Sequence, residues 1–174
     1  FVMQTENVVG EIQSALKRIK ADQNTMIIFT SDNGCSKAAG INTLAEQGHV
    51  VSANLRGSKA DLWDGGHRIP FIVKWPGRVK PGTQSDQLIC LTDFFSTISD
   101  LLGQKLPQNG AEDSVSFLPA LYGKKIVSTR KGVIHHSISG HFSYRQGPWK
   151  LLLAKASGGW TSPREKQAPA GSSP

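Results

Sequence analysis

An amphipathic segment, a short apolar run and a polar loop follow one another near the start of the chain, and their order constrains the fold more than any other feature. Apolar side chains recur at helical spacing over residues 8–19, with charged residues between them, which predicts a helix with one buried face. The continuous apolar run at 26–29 is typical of a strand covered on both faces in a parallel sheet. Together these segments predict one α/β unit, and ligands bind beyond the carboxyl ends of the strands in such sheets.

The middle of the chain carries weaker patterns. Residues 34–58 contain several glycines and little periodicity, which predicts a long irregular loop. An apolar run over 70–75 precedes a Pro-Gly turn and predicts a second strand. The run over 87–91 is interpreted as the end of a strand that leads into a helix. These patterns continue the α/β layer.

The pattern changes after that helix. Thr92 or Asp93 is its predicted N-cap, and Gly103 is its predicted end. Past a polar stretch and a short helical turn, three short apolar or alternating runs within 131–155 are separated by turns that contain Gly or Pro. Consecutive short runs of this kind predict a small antiparallel sheet.

The predicted fold class is therefore α/β, followed by an antiparallel subdomain. We expect residues 1–125 to form a partial α/β layer and residues 126–160 to form the small antiparallel subdomain. The tail at 161–174 is rich in Pro, Ala and Ser, and we expect it to be extended or disordered.

Charge and cysteine content narrow the range of partners. The formal net charge is +7, but lysines and arginines are scattered, without a dense basic block or interleaved aromatic residues. A nucleic-acid partner is therefore not expected, although the charge suits an anionic substrate. No apolar run approaches the roughly 20 residues that a membrane-spanning helix requires. Cys35 and Cys90 form neither a disulfide framework nor a zinc-ligand pattern.

Asp32 and Asn33 follow the first predicted strand and precede Gly34. Residues of these types are also the commonest turn formers, so without further context an Asx-type turn explains the sequence better than a metal site does. Carboxylate and amide oxygens suit a hard cation such as Ca²⁺ or Mg²⁺. Calcium takes about six to eight oxygen ligands, so two residues do not complete a site, and further ligands have to come from elsewhere.

Two segments resemble signatures near the middle of the type I sulfatases, which belong to the alkaline-phosphatase-like superfamily. The segments are TMIIFTSDNG and LRGSKADLWDGGHRIPFIVKWPGRV. LTDFFSTISDLLG, SFLPALYGK and GVIHHSISGHFSYRQGPWKLLL resemble later parts of the family in the same order. The resemblance implies that Asp32 and Asn33 bind a divalent cation, usually calcium. It also implies that Lys59 binds the sulfate group and acts in catalysis.

The resemblance has implications for fold and activity as well. Residues 1–125 would be the C-terminal part of the sulfatase α/β catalytic domain, with a partial sulfatase or alkaline-phosphatase-like sheet. The whole protein would be a periplasmic or secreted sulfuric-ester hydrolase that acts on aryl or carbohydrate sulfate esters. The alternatives are a phosphodiesterase or phosphonate hydrolase of the same superfamily, which shares the fold, and a non-catalytic sulfatase-like binding module.

The nucleophile that the family uses is missing from this sequence. Type I sulfatases attack sulfur with a formylglycine made within Cys/Ser-x-Pro-x-Arg, and no such pentapeptide occurs here. We expect the N-terminal half of the same protein to supply the formylglycine. Since residues of a catalytic unit act together, we expect this chain alone to be inactive.

The histidines and Arg68 have less specific predicted roles. His135 and His136 are neighbours in a predicted strand, so their side chains point to opposite faces and at most one of them faces a site. The other three histidines, His67 among them, have no partner spacing and are expected on the surface or in packing. Arg68 is expected to anchor its loop by hydrogen bonds.

Overall fold

The computed structural model describes residues 2–127 and 130–164. Two compact units interleave along the sequence: Phe1–Phe29, Phe71–Gln87 and Asp93–Val127 belong to the first, and Thr30–Pro70, Leu88–Thr92 and Ser128–Pro174 to the second. Their boundaries differ from the predicted parts 1–125 and 126–160, and that division into domains stays a prediction. No helix in the described residues has the length and apolar character needed to cross a bilayer.

The first unit contains the predicted helix and both predicted strands. Helix α1 spans Val2–Arg18, and strands β1, Ile27–Thr30, and β2, Phe71–Lys74, form a two-stranded sheet. β1 is half-buried along its whole length, so the prediction that both of its faces are covered is wrong. In the described residues its sheet has two strands, which leaves every side chain of β1 some contact with solvent.

Helix α1 begins earlier than predicted and buries a different stripe. Its half-buried side chains include Val9, Gln13 and Leu16, which follow one another at helical spacing. Val8 and Ile12 belong to the predicted apolar face but are 52% and 49% exposed. The stripe is therefore rotated by about one residue from the one that hydrophobicity alone predicts.

Three phenylalanine rings form the core of the first unit. Helix α4 spans Phe94–Leu101, and the short helix α5 spans Leu118–Leu121. Phe71 of β2, Phe94 of α4 and Phe117 before α5 have ring centroids 5.3 to 5.8 Å apart. Phe117 meets each of the other two rings edge-on, a geometry that favours aromatic pairs beyond their buried area.

The ends of α4 follow the prediction in part. Asp93 is the N-cap residue, but its carboxylate accepts the Val115 N–H at 2.9 Å and caps no helical N–H. Gly103 has a φ of 63° and donates its N–H to the Asp100 carbonyl at 3.1 Å, as expected after a helix end. The strand end predicted before this helix is wrong, because residues 87–90 form no regular element. A short apolar run does not by itself distinguish a strand from other buried segments.

The second unit contains the antiparallel sheet that the sequence predicts. Its strands are β3, β4 and β5, in that order across the sheet; they span Val133–His136, Phe142–Gln146 and Trp149–Leu152. His135 pairs with Ser143, and Arg145 pairs with Lys150. Because side chains alternate along a strand, His135, Ser143, Arg145 and Lys150 share one face of the sheet.

Two helices of the second unit lie between β1 and β2 in the sequence. Helix α2 spans Ile41–Glu46, and the single-turn helix α3 spans Asp64–His67. The prediction that residues 34–58 are irregular is therefore wrong for α2. This helix has six residues and begins after Gly40, whose φ is 72°, so it is too short to show a periodic pattern.

The chain after β5 folds back onto the residues that precede α3. The Leu62 N–H donates to the Ser157 carbonyl at 2.8 Å, and the Ser157 N–H donates to the Pro163 carbonyl at 3.3 Å. Leu62 is fully buried. The bond to Pro163 lies within the predicted tail at 161–174, and that part of the domain division stays a prediction. Residues 165–174 of that tail lie outside the described residues.

Candidate functional site

Asp32 and Asn33 lie in the loop directly after β1. Asp32 is exposed and Asn33 is half-buried. The Ser31 hydroxyl donates to the Asn33 carbonyl at 2.8 Å, and Asn33 Nδ2 donates to the Gly34 carbonyl at 3.0 Å. These bonds order the loop without using Asn33 Oδ1 or the Asp32 carboxylate. Both side chains therefore present oxygens that no donor in the described part of the chain contacts.

Glycines join this loop to helix α3. The Gly34 N–H donates to the Gly66 carbonyl at 3.0 Å. A Cβ atom on Gly34 would lie 1.7 Å from the Gly65 oxygen, and a Cβ atom on Gly65 would lie 2.2 Å from the Gly57 oxygen. Because no side chain fits at these approaches, Gly34 allows its loop to touch α3, and Gly65 allows α3 to touch the preceding backbone at Gly57.

Lys59 is connected to the Asp32–Asn33 loop through its backbone. Its N–H donates to the Cys35 carbonyl at 2.9 Å, and the residue is half-buried. The next residue, Ala60, has a left-handed conformation with a φ of 81°. The structure thus brings the loops of the three predicted site residues into direct contact.

Asp64 begins α3 and binds two cations from the sheet. Lys150 Nζ lies 3.0 Å from one carboxylate oxygen, and the Arg145 guanidinium contacts the other. Burial raises the pKa of Asp64, but the hydrogen bonds and charges of Lys150 and Arg145 outweigh it and hold the pKa below 3.8. Burial lowers the pKa of Lys150, against the opposing effect of Asp64. These ion pairs join the sheet to α3.

Two histidines stack beside this ion-pair cluster. The rings of His67 and His135 are 4.6 Å apart between centroids. Burial, followed by the positive charge of Lys150, lowers the pKa of His67 to about 4. Burial, the neighbouring His67 and Lys150 lower the pKa of His135 to about 4. Both rings are therefore neutral at pH 7. His67 Nε2 and His135 Nδ1 are buried without a hydrogen-bond partner in the described residues.

The register of the hairpin is the sequence feature that could have predicted this cluster, whereas neither composition nor a motif indicates it. The two-residue turn at 147–148 pairs Gln146 with Trp149. Counting outward from that turn places Arg145 opposite Lys150 and puts both on the face of His135. His67 was expected to be a surface or packing residue, and it does pack, against His135.

Arg68 does not anchor its loop as predicted. Its backbone N–H donates to the Asp64 carbonyl at 2.7 Å, but its guanidinium contacts no acceptor in the described chain, and the residue is exposed. The anchoring charges are those of Arg145 and Lys150 instead.

The donor set at the Asp32–Asn33 loop fits part of a hard-cation site. No group of three or more His, Cys, Asp or Glu side chains in the described residues is arranged to hold a metal ion. A carboxylate and an amide oxygen without competing donors are nevertheless ligands that Ca²⁺ accepts. Any further ligands have to come from outside this loop.

Comparison with known proteins assigns the family. The family model described as Sulfatase matches residues 1–104. This chain belongs to the sulfatase family. A second model, described as N-sulphoglucosamine sulphohydrolase, C-terminal, matches residues 58–154. The predicted resemblance is thereby confirmed, and the family implies a divalent cation.

Relatives and solved structures cover most of this sulfatase chain. An N-acetylgalactosamine-6-O-sulfatase from Bacteroides thetaiotaomicron is 35% identical over 87% of the chain. An N-acetylgalactosamine-6-sulfatase from Canis lupus familiaris is 34% identical over 72% of it. A solved structure from a Bacteroides thetaiotaomicron locus for the metabolism of multiple glycosaminoglycans has a TM-score of 0.76, with 33% identity over 87% of the chain. The predicted α/β sulfatase fold is confirmed.

The chain spans only part of these proteins. It covers 30% of the bacterial relative, 23% of the canine relative and 32% of the solved chain. The roles of Asp32, Asn33 and Lys59 stay predictions, since the structure shows where these residues lie and not what they bind.

Proposed function

We propose that this sulfatase chain supplies part of the cation site and the sulfate-binding lysine of a sulfuric-ester hydrolase. The observation that carries the proposal is that the loop after β1 bonds to α3, from Gly34 to Gly66, and to Lys59, through Cys35. These bonds hold the Lys59 backbone against the loop of Asp32 and Asn33, and in this proposal a sulfate group would meet both a cation and the Lys59 ammonium there. The activity of the whole protein is part of the proposal, because the chain spans 30% of its bacterial relative.

Each side chain has a distinct role in this proposal. Hydrolysis of a sulfate ester builds negative charge on the sulfuryl oxygens and on the bridging oxygen. The Lys59 ammonium would contact both kinds of oxygen and stabilise that charge. Asp32 and Asn33 would hold Ca²⁺, which supplies further positive charge when bound. The chain contains no Cys/Ser-x-Pro-x-Arg, so the nucleophile and the remaining cation ligands would come from sequence outside these residues.

A carbohydrate sulfate ester is the substrate class that we propose first. Both relatives named above are N-acetylgalactosamine-6-sulfatases, and the matching solved structure comes from a glycosaminoglycan locus. The net charge of +7 also suits a polyanionic substrate. The periplasmic or secreted location stays a prediction.

The test uses the complete coding sequence that contains this chain, expressed together with a formylglycine-generating enzyme. N-acetylgalactosamine 6-sulfate, an aryl sulfate and the matching aryl phosphate are assayed in parallel. We expect hydrolysis of sulfate esters and little release from the phosphate. Hydrolysis of the phosphate alone would replace this proposal with the phosphohydrolase alternative. Absence of all three activities, with formylglycine formation verified by mass spectrometry, would favour a non-catalytic module.

A further inference from the structure

Asp61 is a fully buried carboxylate near Lys59 that the proposed chemistry does not use. Its relative exposure is 0%. Oδ2 accepts the Ser58 N–H at 2.9 Å, and Oδ1 accepts the N–H groups of Trp160 and Thr161 at 2.9 and 3.0 Å. Three backbone N–H groups therefore satisfy the carboxylate, and no lysine or arginine of the described chain pairs with it. A carboxylate buried in this way is strongly tied to its donors.

These bonds enclose Lys59. The Asp61 side chain binds the N–H of Ser58, and the Asp61 N–H binds the Ser58 carbonyl at 3.1 Å. Lys59 and Ala60 form the turn between them. Ala60 has a φ of 81°, a conformation that costs a non-glycine residue energy and persists only when its surroundings impose it. The Asp61 carboxylate is one group that imposes it.

The same carboxylate binds a segment about one hundred residues further along the chain. A Cβ atom on Gly159 would lie 2.3 Å from the Ala60 oxygen, so this segment lies directly on the Lys59 turn. The Ser58 and Thr161 hydroxyls are 3.3 Å apart. Residues 157–161 thus form a second support for the turn, and Asp61 is the side chain that binds both.

We propose that Asp61 is a positioning residue for Lys59. Its carboxylate connects residues 58–62 to residues 157–161 by hydrogen bonds. It thereby holds the turn from which the Lys59 side chain extends. The consequence for turnover rests on the proposed function, whereas the effect on the turn does not. The inference therefore has two separate readouts.

The first readout is amide hydrogen exchange in the full 174-residue chain. In Asp61→Asn the new side-chain amide places an N–H donor against at least one backbone N–H. This removes at least one of the three hydrogen bonds that the carboxylate accepts. We expect the Lys59 amide to exchange about tenfold faster or more, because its protection depends on the turn. Asp93→Asn is the matched control, since Asp93 is also fully buried, accepts a backbone N–H and lies in the other compact unit. Unchanged Lys59 exchange in Asp61→Asn would overturn the proposal.

A second variant tests the role of residues 157–161 in holding the Lys59 turn if Asp61→Asn does not fold. Gly159→Ala places a Cβ atom 2.3 Å from the Ala60 oxygen and 2.7 Å from Asp61 Oδ1. It therefore pushes residues 157–161 away from the turn while the carboxylate itself is kept, and it is expected to raise Lys59 exchange in the same way. Gly10→Ala is its control, because a Cβ atom there meets nothing within 4 Å. Equal Lys59 exchange in the two glycine variants would overturn the proposal.

The second readout is turnover by the complete sulfatase. Displacing a catalytic group by about 1 Å costs on the order of a hundredfold in rate. We expect Asp61→Asn to lower kcat by about ten- to a hundredfold with KM little changed. In a Lys59→Ala background, the same substitution is expected to have almost no further effect. Equal losses in both backgrounds would mean that Asp61 acts on stability alone. If the complete protein hydrolyses no sulfate ester, the proposed function fails, and the exchange experiment still decides the role of Asp61.

Discussion

Gly34 shows how a missing side chain positions the site. A Cβ atom there would lie 1.7 Å from a backbone oxygen of Gly65, which belongs to helix α3. We predict that Gly34→Ala lowers the free energy of unfolding by about 1–3 kcal/mol or more, because its loop and α3 have to separate. Urea unfolding of the chain measures this change. Gly10→Ala in α1 has open space around it and should raise stability by about 0.5–1 kcal/mol. Equal stability of Gly34→Ala and the wild type would contradict the glycine contact.

The stacked histidines make stability depend on pH. His67 and His135 titrate near 6.5 when unfolded and at about 4 when folded, so the unfolded state binds more protons between these values. Stability is therefore predicted to fall as the pH drops from about 6.5 towards 4. The charged and titratable groups around the rings are Lys150, Arg145, Asp64 and His136. Asp64 adds a loss of the same sign below its unfolded pKa of 3.8.

A pair of variants isolates the histidine contribution. His135→Phe keeps an aromatic ring against His67 but cannot gain a proton, so the fall in stability between pH 6.5 and 4 should become shallower. His49 is exposed, and His49→Phe should leave the slope unchanged. Thermal unfolding across this range measures both. A wild-type slope that His135→Phe does not alter would show that other groups cause it.

At the level of single residues, the site was predictable from the order of the family-like segments and not from the chemistry of its side chains. Asp32, Asn33 and Lys59 were named because they stand in recognisable segments, and the structure connects their loops. Asp61 was missed because a single aspartate carries no pattern. Its importance comes from donors about one hundred positions away, and sequence spacing does not reveal such pairings.

At the scale of elements, Thr97 connects α4 to the segment before α5. Its hydroxyl donates to the Asp93 carbonyl at 2.7 Å and accepts the buried Phe117 N–H at 2.9 Å. Thr97→Val keeps the shape but leaves that N–H without a partner, so we predict a loss of about 1–3 kcal/mol in the free energy of unfolding. Thr43→Val, on the exposed side of α2, should change stability by less than about 0.5 kcal/mol. Similar values for the two variants in urea unfolding would show that the Thr97 bonds contribute little.

The elements that were predicted correctly have strong local patterns. The sheet of β3, β4 and β5 follows from short runs between turns, and Gly103 ends α4 as its freedom at positive φ suggests. Helix α2 was missed because it is shorter than two turns. The stripe of α1 was misplaced because the half-buried Gln13 is polar, so hydrophobic periodicity gave it no weight.

At the scale of the whole molecule, the interleaving of the two units was not predictable. The chain leaves the first unit after Phe29 and returns to it at Phe71, and no change in composition marks either point. Pairings between distant segments, such as residues 58–62 with 157–161, determine this organisation. Local propensity carries no information about them.

The chain as a whole is predicted to bind calcium weakly. Asp32 and Asn33 supply two ligand residues, whereas Ca²⁺ requires about six to eight oxygens. With a dissociation constant weaker than about 1 mM, 1 mM calcium stabilises the fold by at most about 0.4 kcal/mol. The unfolding temperature in 1 mM calcium should then exceed that in EDTA by at most about 1–2 °C. A shift of several degrees that persists in Asp32→Ala would place the cation elsewhere.

In the proposed function Lys59 contacts the reacting sulfate group, and turnover of a sulfate ester by the complete sulfatase measures the effect of that contact. Lys59→Ala removes a charge that stabilises mainly the transition state, so kcat should fall by about a hundredfold or more. Lys105→Ala is the matched control, because Lys105 is an exposed lysine of the other compact unit, and its kcat should equal that of the wild type. A Lys59→Ala enzyme that folds normally and keeps wild-type kcat would contradict the claim.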